Sequence, residues 1–418
     1  MDFSLTKEQQ ALLDTARKLG PLLAKNAARY DEESAFPAEN FDALKEAGLT
    51  AMTVPKDYGG HGLWMDGNYL GLYLVLEELA KYCSSTSQLL QVHCHGTGYL
   101  AWSGTESQKA RYFKEVVENG KLFASFGSEA SVRQTGPEPF DTMVKPTGDK
   151  DKPWRLSGYK GFASLAPGAD YFAVWSLIEG TSRMAEGMVY AVVPADDPGV
   201  RLEDDWHVMG MRPTVSWGVH FNDVRLADDE IIGRPGEWVQ DDPRTFSLAF
   251  ASNHLGTAQG VHDYVLDFVR ERPYLRDNPV IQVKLGEFDT MLVSTRMLIW
   301  RGAWLWEQGK WDEAEHASIL ALHSAKQTGL AVTNQAFDIC GARVAYHNHP
   351  IGRAFRDTRT FTLHFREDRY MQFAAQHALG MPFHSKQKYG PRITAEERDK
   401  AMEAVPEAMQ RRYKAAAE

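Results

Sequence analysis

Two short runs of β-forming residues stand near the middle of the chain: Tyr171-Phe172-Ala173-Val174-Trp175 and Met188-Val189-Tyr190-Ala191-Val192-Val193. They lie within a region, 122–238, that is rich in Gly, Pro and Trp. Turn signals separate the β-type runs of this region at intervals of roughly ten residues, which is typical of a small β-barrel or sandwich. The sequence therefore predicts a β domain in the middle of the chain.

Helical patterns flank this region on both sides. Thr6-x-x-Gln9 predicts a capping box, and apolar residues then repeat on one helical face at Leu12, Ala16, Leu19 and Leu23. The helical texture returns after Pro243 and continues to about Gln376. The predicted fold class is mainly α with a central β domain. The predicted domains are a helical domain over 1–120, a β domain over 121–238, a helical bundle over 239–384 and a charged tail over 385–418.

Composition excludes several classes of protein. The chain has 418 residues and, with 46 Lys and Arg against 56 Asp and Glu, a net charge of −10, which argues against a nucleic-acid surface. We find no run of about 18 apolar residues that could span a bilayer and no signal peptide at the acidic start of the sequence. Three cysteines are too few for a disulfide framework. We expect a soluble cytoplasmic protein without nucleic-acid or membrane partners.

Four short motifs follow one another along the chain: Val54-Pro55-Lys56-Asp57-Tyr58-Gly59-Gly60-His61-Gly62, Gly104-Thr105-Glu106-Ser107-Gln108-Lys109, Met209-Gly210-Met211-Arg212-Pro213-Thr214-Val215-Ser216 and Phe221-Asn222-Asp223-Val224. In this order and spacing they resemble the acyl-CoA dehydrogenase superfamily of flavoproteins, from Leu5 to about Gly380. The resemblance implies an N-terminal helical domain, a middle β-barrel and a C-terminal four-helix bundle. It also implies a flavin between the β domain and the bundle, and usually a homotetramer.

The same resemblance implies the residues that would hold the flavin, either FMN or FAD. Ser128 stands where the family has a flavin-contacting hydroxyl, Phe162 would stack near the isoalloxazine, and Ser164 would offer its backbone and hydroxyl near N5. Arg272 and Gln282 match the family's phosphate arginine and adenosine-side glutamine. The full implied set is Phe126, Ser128, Phe162, Ser164, Arg272, Gln282 and Gly341. Backbone can approach a phosphate at a glycine because no side chain intervenes.

The chain departs from the dehydrogenases at the catalytic base. In the family, a carboxylate removes the α-proton during α,β-dehydrogenation. The two positions at which the family carries this glutamate correspond here to Phe365 and to about Phe246. Neither side chain can accept a proton.

Two histidine motifs suggest a different reaction. Arg359-Thr360-Phe361-Thr362-Leu363-His364 and Leu89-Leu90-Gln91-Val92-His93 resemble motifs of dibenzothiophene monooxygenase-like enzymes, which are two-component flavin monooxygenases of the same fold. Ser164 matches their flavin-site serine. In these enzymes a separate reductase supplies reduced flavin, and one oxygen atom is transferred to the substrate. An imidazole can donate or accept a proton near neutral pH because its unperturbed pKa is about 6.5. The resemblance favours His93, Ser164 and His364 as catalytic residues and a small apolar or aromatic substrate.

Two other functions stay open at the level of the sequence. One is an acyl-CoA dehydrogenase or oxidase with tightly bound FAD and a base at a non-standard position. The other is a non-catalytic, degenerate member of the superfamily, retained as a binding or scaffold subunit. Independently of these alternatives, a single histidine on a helix, such as His93 or His364, is often a partly buried structural residue. We assign no metal, because residues i and i+2 of a helix, such as His93 and His95, point about 200° apart and cannot share one ion.

Overall fold

The N-terminal part of the molecule consists of α-helices. The computed structural model describes residues 4–65, 67–129, 140–242, 245–386, 389–403, 405–407 and 409–410. The first five helices are α1 Lys7–Glu33, α2 Ala38–Glu46, α3 Tyr69–Ala80, α4 Ser84–Ser103 and α5 Glu106–Val117. The predicted capping box is confirmed, because the Thr6 hydroxyl accepts from the Gln9 backbone N–H at 3.1 Å and Gln9 Oε1 accepts from the Thr6 N–H at 2.9 Å.

A twisted sheet of eight strands follows. The strands are β1 Phe123–Phe126, β2 Met143–Pro146, β3 Trp154–Ala163, β4 Tyr171–Ile178, β5 Met188–Pro194, β6 Val200–Glu203, β7 Trp217–Leu226 and β8 Ile231–Ile232. Their order is β6-β7-β3-β2-β4-β5-β8, and β1 pairs in parallel with β4. Both β-type runs quoted first are confirmed as the paired strands β4 and β5, and α4 packs against β1.

Long helices form the bundle after the sheet. The short helices α6 Met184–Gly187 and α7 Glu237–Gln240 precede α8 Ser247–Arg270, α9 Pro273–Arg276, α10 Pro279–Glu307, α11 Trp311–Cys340, α12 Pro350–Phe361, α13 Glu367–Ala378 and α14 Ala395–Glu403. Helix α11 packs against α8, α10, α12 and α13, while α3 of the N-terminal part packs on α8. The predicted order of helices, sheet and helices is therefore confirmed, and one continuous core joins the three parts.

The described part of 385–410 differs from the charged tail that the sequence predicted. Ser385, Lys386 and Met402 are buried, and α14 packs against α6. The Lys386 ammonium lies 3.9 Å from the buried carboxylate of Asp242 and 4.8 Å from the centre of the Trp238 ring. Local charge density could not reveal this packing, because the partners lie about 150 residues earlier in the chain.

The loop between β6 and β7 contacts the bundle through its backbone. A Cβ on Gly210 would lie 2.2 Å from the carbonyl oxygen of Arg356 in α12, so no side chain fits there. The next residue, Met211, donates its N–H to Asp357 Oδ1 at 2.5 Å. This close approach fixes the distance between the sheet and α12.

Replacement of Gly210 tests this contact. We expect Gly210→Ala to lower the free energy of unfolding by about 1–3 kcal/mol, because the two backbones must separate to admit a methyl group. Gly286→Ala is the matched control: a Cβ at Gly286 in α10 meets no atom within 4 Å, so alanine should leave stability unchanged or raise it. Chemical denaturation of both variants measures the difference. Equal stability of the two variants would contradict the close approach.

Candidate functional site

A cavity of about 630 Å³ lies where the sheet, the bundle and the C-terminal segment meet. This volume lies within the range of small-molecule binding sites. Helix α4, the ends of β1 and β3, strand β4, helix α8 and the segment between α12 and α13 contribute to its lining, and residues 389–391 close one side. Its aromatic lining residues are Phe126, Phe140, Phe162, Trp175, Phe246, Phe250, Phe365 and Tyr389.

Five of the site residues predicted from the sequence meet in this cavity. They are Phe126, Ser128, Phe162, Ser164 and His364. The stretches that carry the first four are held together because the Gly161 N–H donates to the Ser128 carbonyl at 3.0 Å. Residues separated by more than 200 positions in the chain thus line one space.

The end of β3 directs Phe162 away from the sheet. The pairing of β3 with β7 shifts register between Lys160 and Ala163, and Phe162 has a φ of +57°, a conformation that bulky residues rarely adopt. As a result the Phe162 side chain is 58% exposed and meets Trp206 edge-on at 6.1 Å. Backbone strain of this kind concentrates at functional sites, where surrounding structure maintains it.

A buried ion pair lies beside the cavity. The Lys160 ammonium is 2.8 Å from Glu129 Oε1, and both side chains are almost completely buried. Glu129 also accepts the backbone N–H groups of Asp141 at 2.7 Å and Thr142 at 3.1 Å. Burial lowers the pKa of Lys160 to about 8. Burial opposes ionisation of Glu129, but the Lys160 charge and the hydrogen bonds outweigh it and hold its pKa below the usual value.

His364 faces the cavity from the turn between α12 and α13. Its ring lies 4.4 Å from the Phe250 ring and 4.9 Å from the Phe365 ring, measured between centroids. The His364 side chain is accessible from the open cavity. Desolvation by the surrounding groups lowers the pKa of His364 to about 4, and the positive charge of Lys326 contributes to the same shift. His364 is therefore neutral at pH 7.

The structure does not bring His93 to the cavity. His93 is fully buried, and its Nδ1 accepts the Phe123 backbone N–H at 3.0 Å. Nε2 therefore carries the ring proton and donates it to the Thr50 carbonyl at 2.7 Å. Both ring nitrogens are used to join α4 to the chain before α3 and to β1. This geometry departs from the catalytic role predicted for His93 and is that of a structural histidine.

Another histidine of α4 lines the cavity instead. His95 stacks on Phe246 with ring centroids 3.9 Å apart and on Trp64 at 5.7 Å. Gln88 and Val92 line the cavity from the same helix. The Gln88 amide oxygen is buried and has no hydrogen-bond partner within the described part of the chain. The helical spacing from Gln88 to Val92 and His95 could have indicated this face, whereas His93 points elsewhere.

The remaining three predicted residues lie outside the cavity lining. Arg272 follows the end of α8, where its guanidinium donates to the Phe268 carbonyl at 2.7 Å. Burial raises the pKa of the Cys340 thiol to about 11, and the positive charge of Arg272 partly offsets this rise. Arg272 therefore lies near Cys340, which is the residue before Gly341. The Gln282 side chain donates to the Arg276 carbonyl at 2.9 Å. Gly341 has a φ of +78° at the end of α11, with open space where a side chain would stand.

The cavity has one carboxylate among its described lining residues, which is Glu129. Both Phe246 and Phe365 line the cavity, at the positions that matched the glutamate of the dehydrogenases. No group of three or more His, Cys, Asp or Glu side chains among the described residues could hold a metal ion. None of the helices described is long and apolar enough to cross a membrane.

Comparison with protein families defines the class of this chain. The N-terminal, middle and C-terminal domain models of acyl-CoA dehydrogenase match residues 6–120, 130–224 and 248–369. The chain therefore belongs to the acyl-CoA dehydrogenase family, whose members are flavin-dependent oxidoreductases. The predicted fold is confirmed.

The individual relatives include both dehydrogenases and monooxygenases. The chain is 29% identical to the mitochondrial short-chain specific acyl-CoA dehydrogenase of Bos taurus, over 85% of this chain and 86% of the relative. It is 26% identical to dibenzothiophene monooxygenase of Mycolicibacterium goodii, over 84% and 89%. The fold also matches the structure of TdsC from Paenibacillus sp. A11-2 with FMN and indole, with a TM-score of 0.79, 22% identity and coverage of 91% and 100%.

The structural role of His93 has a pH-dependent consequence. Burial lowers the pKa of His93 to about 4, whereas the unfolded chain binds this proton near pH 6.5. The unfolded state therefore binds more protons between these values, and acidification through this window should reduce stability. We expect His93→Gln to lower stability at pH 7 by about 1–3 kcal/mol and to make the decline between pH 6.5 and pH 4 shallower.

Thermal unfolding across this pH range measures the effect. His207→Gln provides the control, because His207 is an exposed histidine. The control should keep the pH dependence of the parent protein. A His93→Gln variant with the parent's pH dependence would show that His93 does not contribute to it.

Proposed function

We propose that this protein is a two-component flavin-dependent monooxygenase that acts on a small apolar or aromatic substrate. The observation that carries the proposal is the absence of a free carboxylate among the described lining residues of the cavity. Phe246 and Phe365 stand at the two family base positions, and Glu129 is committed to Lys160. Neither family base position can therefore take up an α-proton through a free carboxylate, whereas oxygen transfer to a bound substrate needs no carboxylate.

The residues present fit a flavin. The cavity combines aromatic surfaces with a few polar atoms, among them the Ser164 hydroxyl and the buried Gln88 amide oxygen, which has no hydrogen-bond partner among the described residues. A planar heteroaromatic ring with polar edges satisfies both kinds of surface. Phe126, Ser128, Phe162 and Ser164 would hold this ring. The roles of Arg272, Gln282 and Gly341 toward phosphate or adenosine groups stay predictions, as does the choice between FMN and FAD.

The chain supplies a proton-handling group among aromatic rings. Reduced flavin, when bound, supplies the two electrons with which dioxygen gives one atom to the substrate and the other to water. The neutral His364 ring has one nitrogen that donates and one that accepts, so it can move a proton at the reacting oxygen. The rings of Phe250 and Phe365 pack against it and give the reacting region apolar walls.

Two partners belong to this proposal. A separate reductase would deliver the reduced flavin, as the resemblance to dibenzothiophene monooxygenases implies. A homotetramer is consistent with apolar side chains that helix α10 exposes, namely Val280, Val283 and Val293.

Two reactions distinguish this proposal from a dehydrogenase. Given reduced FMN or FAD and ¹⁸O₂, the protein should place one ¹⁸O atom into a small aromatic compound, with indole as the first probe because TdsC was crystallised with it. Butyryl-CoA or octanoyl-CoA, added anaerobically to protein with oxidised flavin, should not bleach the flavin. Mass spectrometry and absorbance measure the two outcomes. Bleaching by an acyl-CoA at an enzymatic rate would overturn the proposal in favour of a dehydrogenase.

Replacement of His364 tests its role. We expect His364→Ala to lower product formation by roughly 10²- to 10⁴-fold, the usual contribution of a general acid or base. Flavin affinity should change little, and the oxygen consumed should appear as hydrogen peroxide. Product yield and peroxide per reduced flavin are the measurements.

A matched control is available for this variant. His220→Ala changes a histidine of β7 that bonds to Glu203 and lies outside the cavity lining, so product yield should stay at the parent value. If His364→Ala also forms product within a few-fold of the parent protein, His364 is structural.

A further inference from the structure

Three buried hydroxyl groups form a chain that begins at the cavity. Ser164 Oγ lies 2.7 Å from Ser216 Oγ, and Ser216 Oγ lies 2.7 Å from Thr214 Oγ1. The Thr214 hydroxyl then donates to the backbone carbonyl of Met211 at 2.8 Å. Ser164 lines the cavity, while Thr214 and Ser216 are buried behind it.

The end of the chain fixes the direction of every bond in it. A carbonyl oxygen can only accept, so the single hydroxyl proton of Thr214 is committed to Met211. Ser216 must then donate to Thr214, because two lone pairs would otherwise face each other at 2.7 Å. For the same reason Ser164 must donate to Ser216. The Met211 carbonyl is held as an acceptor by Trp206 Nε1 as well, at 3.0 Å.

Ser164 consequently presents only lone pairs to the cavity. Because its proton points toward Ser216, any ligand atom that bonds to its hydroxyl must bring its own N–H or O–H group. An isoalloxazine gains such groups on reduction, when N5 acquires a hydrogen. The resemblance implies that N5 is the flavin atom at this hydroxyl, and oxidised flavin, which has only an acceptor there, would place lone pair against lone pair.

We propose that Thr214 and Ser216 are positioning residues that hold Ser164 as a hydrogen-bond acceptor and so make the cavity select reduced over oxidised flavin. This inference rests on the proposed function, because it requires the flavin ring in this cavity. Thr214 and Ser216 do not line the cavity, but through Ser164 they determine which redox state of the flavin binds more tightly. Selection of the reduced form suits a protein that receives its flavin from a separate reductase.

The test is the ratio of the dissociation constants of oxidised and reduced flavin, measured anaerobically with FMN and with FAD. In Ser216→Ala the Ser164 proton loses its acceptor and becomes free to bond to oxidised flavin. The preference for reduced flavin should fall roughly 3- to 10-fold, the worth of one hydrogen bond. The midpoint potential of the bound flavin should fall accordingly, by 29.6 mV for a tenfold change in a two-electron couple.

Three further variants define the result. Ser216→Thr keeps the hydroxyl and should restore the preference of the parent protein. Ser176→Ala removes a buried β4 serine hydroxyl that donates only to the Val174 carbonyl among its described contacts, and the ratio should not change. Ser164→Ala removes the acceptor itself, so affinity for reduced flavin should fall while affinity for oxidised flavin should not.

The outcomes separate this inference from the proposed function. If the parent protein binds neither form of flavin at micromolar concentration, the proposed function fails and the inference fails with it. If both forms bind and Ser216→Ala leaves their ratio at the parent value, the hydroxyl chain has no such role, and the monooxygenase proposal stands. Should Ser216→Ala not fold, a parent-like ratio in Ser164→Ala overturns the inference equally.

Discussion

The contact between Gly210 and the backbone of Arg356 is the constraint on which the arrangement of the site depends. With no side chain between them, the loop before β7 lies directly on α12, and Met211 donates its N–H to Asp357. The carbonyl of the same Met211 residue ends the hydroxyl chain that begins at Ser164. One peptide segment therefore connects the position of the bundle to the orientation of a hydroxyl in the cavity. A shift of α12 would reach Ser164 through the Met211 peptide and the hydroxyls of Thr214 and Ser216, without any change in the lining residues.

The lining of the cavity is mostly aromatic, and two oppositely charged pairs lie beside it. Lys160 and Glu129 form a buried pair, and Lys386 lies near the Asp242 carboxylate beside the Trp238 ring. Such pairs give little net stability, because desolvation of both ions opposes their attraction. Their effect here is on chemistry, since a paired Glu129 carboxylate is a poor proton acceptor. Phe246 and Phe365, at the two positions where the dehydrogenases carry the catalytic glutamate, have no group that accepts a proton.

Local patterns predicted the fold well. The Thr6 capping box and the strands β4 and β5 depend on residues close together in sequence, so they could be read directly. The packing of 385–410 could not, because it depends on Asp242 and Trp238, which are distant in the chain and carry no local signal. For the site, five of the residues that the motif resemblance suggested line the cavity. The resemblance failed to separate His93 from His95, although the angle between positions two apart on a helix allows only one of them to face the cavity.

The hydroxyl chain shows a further limit of motif reasoning. The sequence places a serine at 164 and suggests hydrogen bonding to a flavin, but a hydroxyl can donate or accept, and its type does not say which. Whether Ser164 donates or accepts toward the cavity is determined by its hydrogen bonds to Ser216 and, through Ser216, to Thr214. The direction of these bonds is fixed by the Met211 carbonyl, which can only accept. The direction of a proton is thus set about 50 residues away in sequence and three hydrogen bonds away in space. Two proteins with the same lining residues could therefore differ in their preference for oxidised or reduced flavin. The groups behind the lining determine whether a lining hydroxyl donates or accepts a hydrogen bond.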